Sequence, residues 1–178
     1  MSPDDIKALI RTIPDFPAAG IQFRDITTLI AHGEGLAATV DHLVERAAAA
    51  HPSAVAGIEA RGFIFGAAIA ARLRIGFVPL RKAGKLPGET IGIDYALEYG
   101  AARFELDPGA IRSGERVLLV DDLIATGGTA LAGAELLRQA GALVDHALFV
   151  IDLPELGGAE ALRAAAVEPW SLVDFPGH

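Results

Sequence analysis

Between residues 34 and 50 the chain reads EGLAATVDHLVERAAAA, with Leu36, Val40, Leu43, Val44 and Ala47 at helical spacing and Asp41, Glu45 and Arg46 on another side. That pattern predicts an amphipathic helix. After it, SAVAGIE (53–59) fits a short buried strand, GFIFGAAIAARL (62–73) is long and alanine-rich enough for a buried helix, and IGFVPL (75–80) reads as another strand. Residues 90–106, TIGIDYALEYGAARFEL, carry β-branched and aromatic side chains, and Gly100 is the expected turn of a mobile hairpin. The alternation then resumes. RVLLV (116–120) predicts a strand, TALAGAELLRQA (129–140) a helix stopped by Gly141, and LVDHALFVI (143–151) a strand. A helix near 155–166 and a short final strand, SLVDF, complete the reading.

Strands that alternate with helices and run as continuous apolar stretches imply an α/β fold, its parallel sheet covered on both faces. Ligands of such sheets bind beyond the carboxyl ends of the strands, where Glu59, Arg61, Arg81, Asp121 and Asp122 fall. Composition narrows this to a single domain: 178 residues are 52% hydrophobic and 21% charged, without internal repeats or a low-complexity linker. The absence of cysteine removes disulfides and thiolate chemistry and fits a reducing cytoplasm. The opening MSPDDIKALI shows no basic apolar leader, and the apolar run around 62–71 is shorter than the ~20 residues that span a bilayer, so no membrane association is expected. A net charge of −8 and a pI near 5.0 oppose nonspecific nucleic-acid binding. An anionic ligand therefore needs a local basic site, for which Arg61, Arg81, Lys82 and Lys85 are candidates.

The stretch VLLVDDLIATGGTA (117–130) offers such a ligand a seat. Its strand would deliver Asp121 and Asp122 just ahead of ATGGT, whose two glycines permit backbone N–H groups to wrap a phosphate at a helix start. Hydroxyls of Thr126 and Thr129 can add hydrogen bonds, and the carboxylates can accept from vicinal sugar hydroxyls or hold a metal through water. The plainer alternative is a strand-to-helix turn with Thr129 as N-cap and two solvated aspartates. Neither a Walker loop nor Gly-x-Gly-x-x-Gly is present, so a different phosphate is being held. The five histidines show no ligand spacing, and no Gly-x-Ser-x-Gly elbow occurs.

With these residues in hand, VLLVDDLIATGGTA resembles the phosphoribosyl-pyrophosphate signature of the type I phosphoribosyltransferases. FPAAGIQFRDIT (16–27), IEARGF (58–63), RKAGKLPGET (81–90) and YALEYG (95–100) resemble the adenine branch of that family, in the same order. The resemblance implies the type I phosphoribosyltransferase fold, with a central parallel sheet flanked by helices, a small base-binding hood (1–33 and 152–178) and a flexible hairpin lid (85–106). It implies transfer of 5-phosphoribosyl from phosphoribosyl pyrophosphate to adenine, giving AMP and pyrophosphate, with Mg²⁺ held through substrate and water and no direct protein ligand. Ala125, Thr126, Gly127, Gly128 and Thr129 would bind the 5-phosphate, with Asp121 and Asp122 near the ribose hydroxyls. Arg61, Arg81 and Lys85 would contact the pyrophosphate, Arg81 from either subunit of an implied homodimer. Lys82 is equally well read as a plain surface lysine. Glu59 and Ala60 would flank a non-proline cis peptide in the pyrophosphate loop.

Under the same resemblance the backbone of Gln22 and Arg24 reads the edge of adenine, with Phe23 and Leu153 as apolar walls. A smaller apolar residue often stands where this chain has Gln22, which leaves specificity intact if only the backbone is used. Glu98 would handle the purine N7 proton and Tyr99 would close over the site, excluding water from a ribosyl cation-like transition state. The other readings of Glu98, FRDIT and EARGF are an exposed hairpin carboxylate, a surface Arg24–Asp25 pair and an Arg61–Glu59 pair. Two rivals stand beside this reading: transfer to another purine such as xanthine, and a regulator that senses phosphoribosyl pyrophosphate or AMP and acts on nucleic acid.

Overall fold

A computed structural model describes residues 1–96 and 101–177. The chain opens with helix α1 (Pro3–Ala8), strands β1 (Arg11–Pro14) and β2 (Gln22–Asp25), and helices α2 (Thr27–Ala31) and α3 (Gly33–Ala49). Strand β3 (Ala54–Ile58), helix α4 (Gly62–Leu73), strand β4 (Gly76–Lys82) and the arms β5 (Ile91–Ala96) and β6 (Ala101–Leu106) follow. Strand β7 (Val117–Ile124), helix α5 (Gly128–Gln139), strand β8 (His146–Asp152), helix α6 (Gly158–Ala164) and strand β9 (Glu168–Asp174) complete it.

Seven strands form one sheet in the order β5-β6-β4-β3-β7-β8-β9. From β4 to β9 neighbouring strands are parallel, as the sequence pattern predicts. The hairpin arms β5 and β6 pair antiparallel, because the few residues between them in sequence leave no room for a crossover, and β6 is antiparallel to β4. The hairpin's grip on the sheet is slight, with β6 pairing to β4 only at Arg81↔Glu105 and Lys82↔Phe104. Apart from this sheet, β1 and β2 make a two-stranded antiparallel ribbon.

Alternation along β7 explains why that strand lies at the centre. Val117 and Leu119 enter one core with Leu136 and Leu137 of α5 and Phe149, while Leu118 and Val120 enter the other with Phe65 and Ile69 of α4 and Leu43 of α3. Each such side chain, fully buried, contributes roughly 1.5–3 kcal/mol. The exposed Arg72–Asp41 pair on α4 and α3 contributes about 0–1 kcal/mol, so apolar burial and not surface charge decides the layering.

Element boundaries depart from the sequence reading in ways that matter for the site. Strand β7 runs on to Ile124, so Asp121 and Asp122 lie inside its last half and not past its end. The predicted helix near 155–166 divides into a 3-10 turn (Pro154–Leu156) and α6, because Gly157 takes φ +75 between them. Strand β8 begins at His146 and not at 143, and β9 spans 168–174.

Candidate functional site

Helix α5 starts without a side-chain cap. Its N-cap is Gly127, at φ +86, and not Thr129, and its first turn carries no acidic residue. Leu131 N–H is the first to bond back into the helix, donating to Gly127 O at 2.8 Å. The amides of Gly128, Thr129 and Ala130 come earlier and have no intrahelical acceptor. A left-handed backbone of this kind suits glycine, and space demands it as well: a Cβ on Gly127 would stand 3.0 Å from Gly158 O. Gly158 N–H in turn donates to Ala125 O at 2.9 Å, and Leu153 N–H donates to Ile124 O at 3.0 Å. The loop after β7 is thus clamped by the backbone ahead of α6. Together with Asp121 and Asp122, residues 125–129 line a cavity of about 290 Å³.

The two aspartates sit in different surroundings. Asp121 Oδ1 accepts from Asp122 N–H at 2.8 Å, and Gly62 comes so near that a Cβ there would lie 2.9 Å from that oxygen. Burial, then the charge of Asp122, pushes the Asp121 carboxyl well above the usual range, with Arg61 opposing. Asp122 is 3% exposed, and its Oδ2 lies 2.8 Å from Arg61 Nε. This is a charge pair and not an aligned hydrogen bond, since Oδ2 meets no properly directed donor among the described residues. Arg61 therefore pairs with Asp122, and not with Glu59 as the alternative reading had it.

Glu59 accepts instead from Lys82 N–H at 2.9 Å and from Arg81 Nε at 3.2 Å. Burial alone would raise its carboxyl; those donors and the charges of Arg81 and Lys82 together hold it below its usual value. The Glu59–Ala60 peptide is cis. Arg81 also donates to Lys85 O at 3.2 Å, while the Lys82 and Lys85 side chains are exposed. Glu59, Ala60 and Arg61 line the cavity; Arg81 stands behind Glu59, and neither it nor Lys85 lines the wall.

A second, mostly apolar cavity of about 310 Å³ adjoins the first, sharing Arg61, Leu123 and Ala125 with it. Gln22, Phe23 and Arg24 of β2 and Leu153 line it, as does Leu156. Phe23 meets the exposed ring of Phe16 edge to face at 5.2 Å and lies 5.7 Å beneath the guanidinium of Arg61. Arg24 does not pair with Asp25. It donates to Thr12 Oγ1 at 2.6 Å and to Pro176 O at 2.8 Å, with its guanidinium 4.7 Å over Phe175. Asp25 binds Arg11 Nη2 at 2.5 Å and Thr27 N–H at 2.9 Å.

The structure thus gathers residues 22–24, 59–61, 121–122, 125–129 and Leu153 around two adjoining cavities. Glu98, Tyr99 and the Gly100 turn lie outside the described residues. Tyr95 and Phe104, stacked at 4.5 Å on the hairpin arms, also wall the first cavity. Burial, then the charge of Asp121, pushes the Tyr95 hydroxyl above its usual range. Alternation along the hairpin puts Ile93 and Tyr95 on one face and could have singled Tyr95 out; nothing local in the sequence marks Gly62 or Gly158.

The family model described as a phosphoribosyl transferase domain matches residues 22–160. An adenine phosphoribosyltransferase of Novosphingobium aromaticivorans is 71% identical over 178 residues, spanning 100% of each chain. The crystal structure of adenine phosphoribosyltransferase from Thermoanaerobacter pseudethanolicus is 41% identical with a TM-score of 0.92, covering 98% of this chain and 100% of that one. The Saccharomyces cerevisiae enzyme, complexed with D-2,5-dideoxy-2,5-imino-altritol 1,6-bisphosphate and adenine, is 37% identical with a TM-score of 0.89, covering 96% and 98%. The chain belongs to the phosphoribosyltransferase family, and its fold is that of the type I members. Its full-length relatives there are adenine phosphoribosyltransferases, and it stands in that branch.

Proposed function

We propose that this chain transfers the 5-phosphoribosyl group of phosphoribosyl pyrophosphate to adenine, releasing pyrophosphate and AMP. The observation that carries the reading is the pairing of two cavities: one opens on the uncapped start of α5, the other is apolar and flanked by β2. The first suits a phosphorylated sugar, the second a flat base. Amides of residues 127–129 and the hydroxyls of Thr126 and Thr129 would hold the 5-phosphate, and Asp121, with Asp122 beside it, would lie near the ribose. Arg61, with Arg81 at the end of β4 and Lys85 in the loop after it, would neutralise the pyrophosphate as the anomeric bond breaks.

Residues 1–33 and 152–178 would act as a hood over the base. Pro14 pairs with Gln22 in the ribbon, and a residue without an N–H fits where amides point away from the partner strand. By alternation Gln22 and Arg24 then turn their N–H and C=O toward the free edge, ready for the amino group and a ring nitrogen of adenine. Hypoxanthine would set carbonyl against carbonyl, costing ~1–3 kcal/mol. Phe23 and Leu153 would sandwich the ring. The hairpin, residues 85–106, would serve as a lid, excluding water and bringing Glu98 to the purine N7 proton and Tyr99 over the site.

Among the described residues no group of three His, Cys, Asp or Glu could hold a metal, and Glu59 and Asp122 already face cations. That donor set fits Mg²⁺ held chiefly by substrate oxygens and water, with Asp121 and Asp122 as outer partners. When bound, the ion supplies charge neutralisation on the pyrophosphate. We place the reaction in the cytoplasm and assign the chain a homodimer. No helix among the described residues is long and apolar enough to cross a membrane.

The test is AMP formation from labelled adenine, phosphoribosyl pyrophosphate and Mg²⁺, with hypoxanthine, guanine and xanthine in parallel. Product with adenine alone is expected. Product with another base would overturn the pocket assignment, and none with any base would overturn the reaction.

A further inference from the structure

Two adjacent aspartates in one strand invite a shared role, yet their contacts separate them. Both line the cavity at the start of α5, but Asp121 Oδ1 accepts from the amide of Asp122 and would lie 2.9 Å from a Cβ on Gly62. Asp122 is nearly sealed, at 3% exposure, while the Arg61 side chain beside it is 45% exposed. Oδ2 of Asp122 lies 2.8 Å from Arg61 Nε and has no aligned hydrogen-bond donor among the described residues. That oxygen is committed to the guanidinium.

The Arg61 side chain is 45% exposed and lines both cavities, so the guanidinium, with five N–H donors, stands where a bound anion can meet it. Its planar group is held from two sides: Asp122 on the Nε edge, and the ring of Phe23 5.7 Å below its face. Two such restraints limit how far the plane can turn, at a residue that lines both cavities. A flexible arginine loses rotamer freedom whenever it binds an anion; a fixed one has lost it beforehand and presents a ready fork for two oxygens.

Within the functional reading above, on which this rests, we infer that Asp122 is a positioning residue for Arg61. It serves the pyrophosphate end of the substrate by orienting that guanidinium, whereas Asp121 is left to serve the ribose. The neighbouring carboxylates therefore act on different halves of one substrate.

Calorimetric titration with two fragments separates the halves: Mg²⁺-pyrophosphate, which has no sugar, and ribose 5-phosphate, which has no pyrophosphate. Asp122→Asn should weaken Mg²⁺-pyrophosphate by about tenfold or more, the loss expected when a charge-assisted contact is no longer well directed. Ribose 5-phosphate should weaken by less than about threefold. In an Arg61→Lys background the same substitution should change pyrophosphate binding by less than about twofold, because the group it orients is gone. Ribose 5-phosphate losing as much as pyrophosphate, or an additive double-mutant cycle, would overturn the inference. Should Asp122→Asn not fold, the Arg61 Nε–H signal of the wild-type protein decides by NMR. Restricted picosecond–nanosecond motion of that N–H, with and without Mg²⁺-pyrophosphate, supports a fixed guanidinium, and free motion in both states overturns it. Wild-type protein that folds but binds neither fragment would instead overturn the reading of the site as a whole.

Discussion

At the scale of single residues, the Asp121 carboxyl is costly to ionise, since its charged form is disfavoured by burial and by Asp122. Its folded-state pKa is raised, so the folded protein binds a proton more tightly than the unfolded chain does. Stability therefore falls as pH rises from the ordinary carboxylate range through that raised value, and the penalty is complete above it. Asp121→Asn should raise the Tm of the ligand-free protein at pH 7 to 8, and the gain should vanish below pH ~3.5, where both forms are neutral. Calorimetric melts across that range check it; an unchanged or lower Tm at pH 8 would show that the carboxyl is not strained. The same substitution should abolish turnover, a stability gain at the expense of function. The residue types of this site were legible in VLLVDDLIATGGTA and IEARGF, because acids, cations and glycines in that order leave few other uses. Their pairing was not. Arg61 with Asp122 and Glu59 with Arg81 depend on which strands end side by side, and no local spacing encodes that.

At the scale of elements, the ribbon of β1 and β2 depends on one carboxylate. Asp25 binds Arg11 of β1 and the first amide of α2 at Thr27, and the Thr27 contacts, then Arg11, hold its pKa at about 2. A depressed value means stability that is present above the unfolded pKa and lost as pH falls toward the folded one. Asp25→Asn is expected to cost roughly 1–2 kcal/mol at pH 7, less than a fully sealed pair would cost because Arg11 is largely exposed. The cost should shrink between pH 4 and 2, read from denaturant melts, and KM for adenine should rise more than KM for phosphoribosyl pyrophosphate. A cost that holds constant down to pH 2 would remove Asp25 from this account. Long elements such as α3, α4 and α5 were readable because their apolar spacing repeats over several turns. The ribbon was not: α1, β1, β2 and α2 span four to six residues each, too few for periodicity to register, and only the FRDIT resemblance pointed there.

At the scale of the whole molecule, the alternation of strands and helices was enough to define a parallel sheet with two covered faces, since β3, β4, β7 and β8 each send side chains into both cores. What it missed is the antiparallel edge, whose strands fold back on themselves and so escape the crossover rule. Phe63 and Phe77, meeting edge to face at 5.6 Å yet only half-buried, leave aromatic surface on α4 and β4. Sedimentation velocity should accordingly show a species of twice the 18.5 kDa chain mass, and a monomer at micromolar concentration would exclude Arg81 acting across subunits. The clamp on the loop after β7 has a consequence for synthesis. Gly158 and Leu153 hold Ala125 and Ile124 through backbone bonds, so the anion loop is complete only when the chain has grown past residue 158. A polypeptide still on the ribosome displays both aspartates and the glycines before it can grip a phosphate, and substrate therefore cannot guide its folding until residues 153–158 have been made.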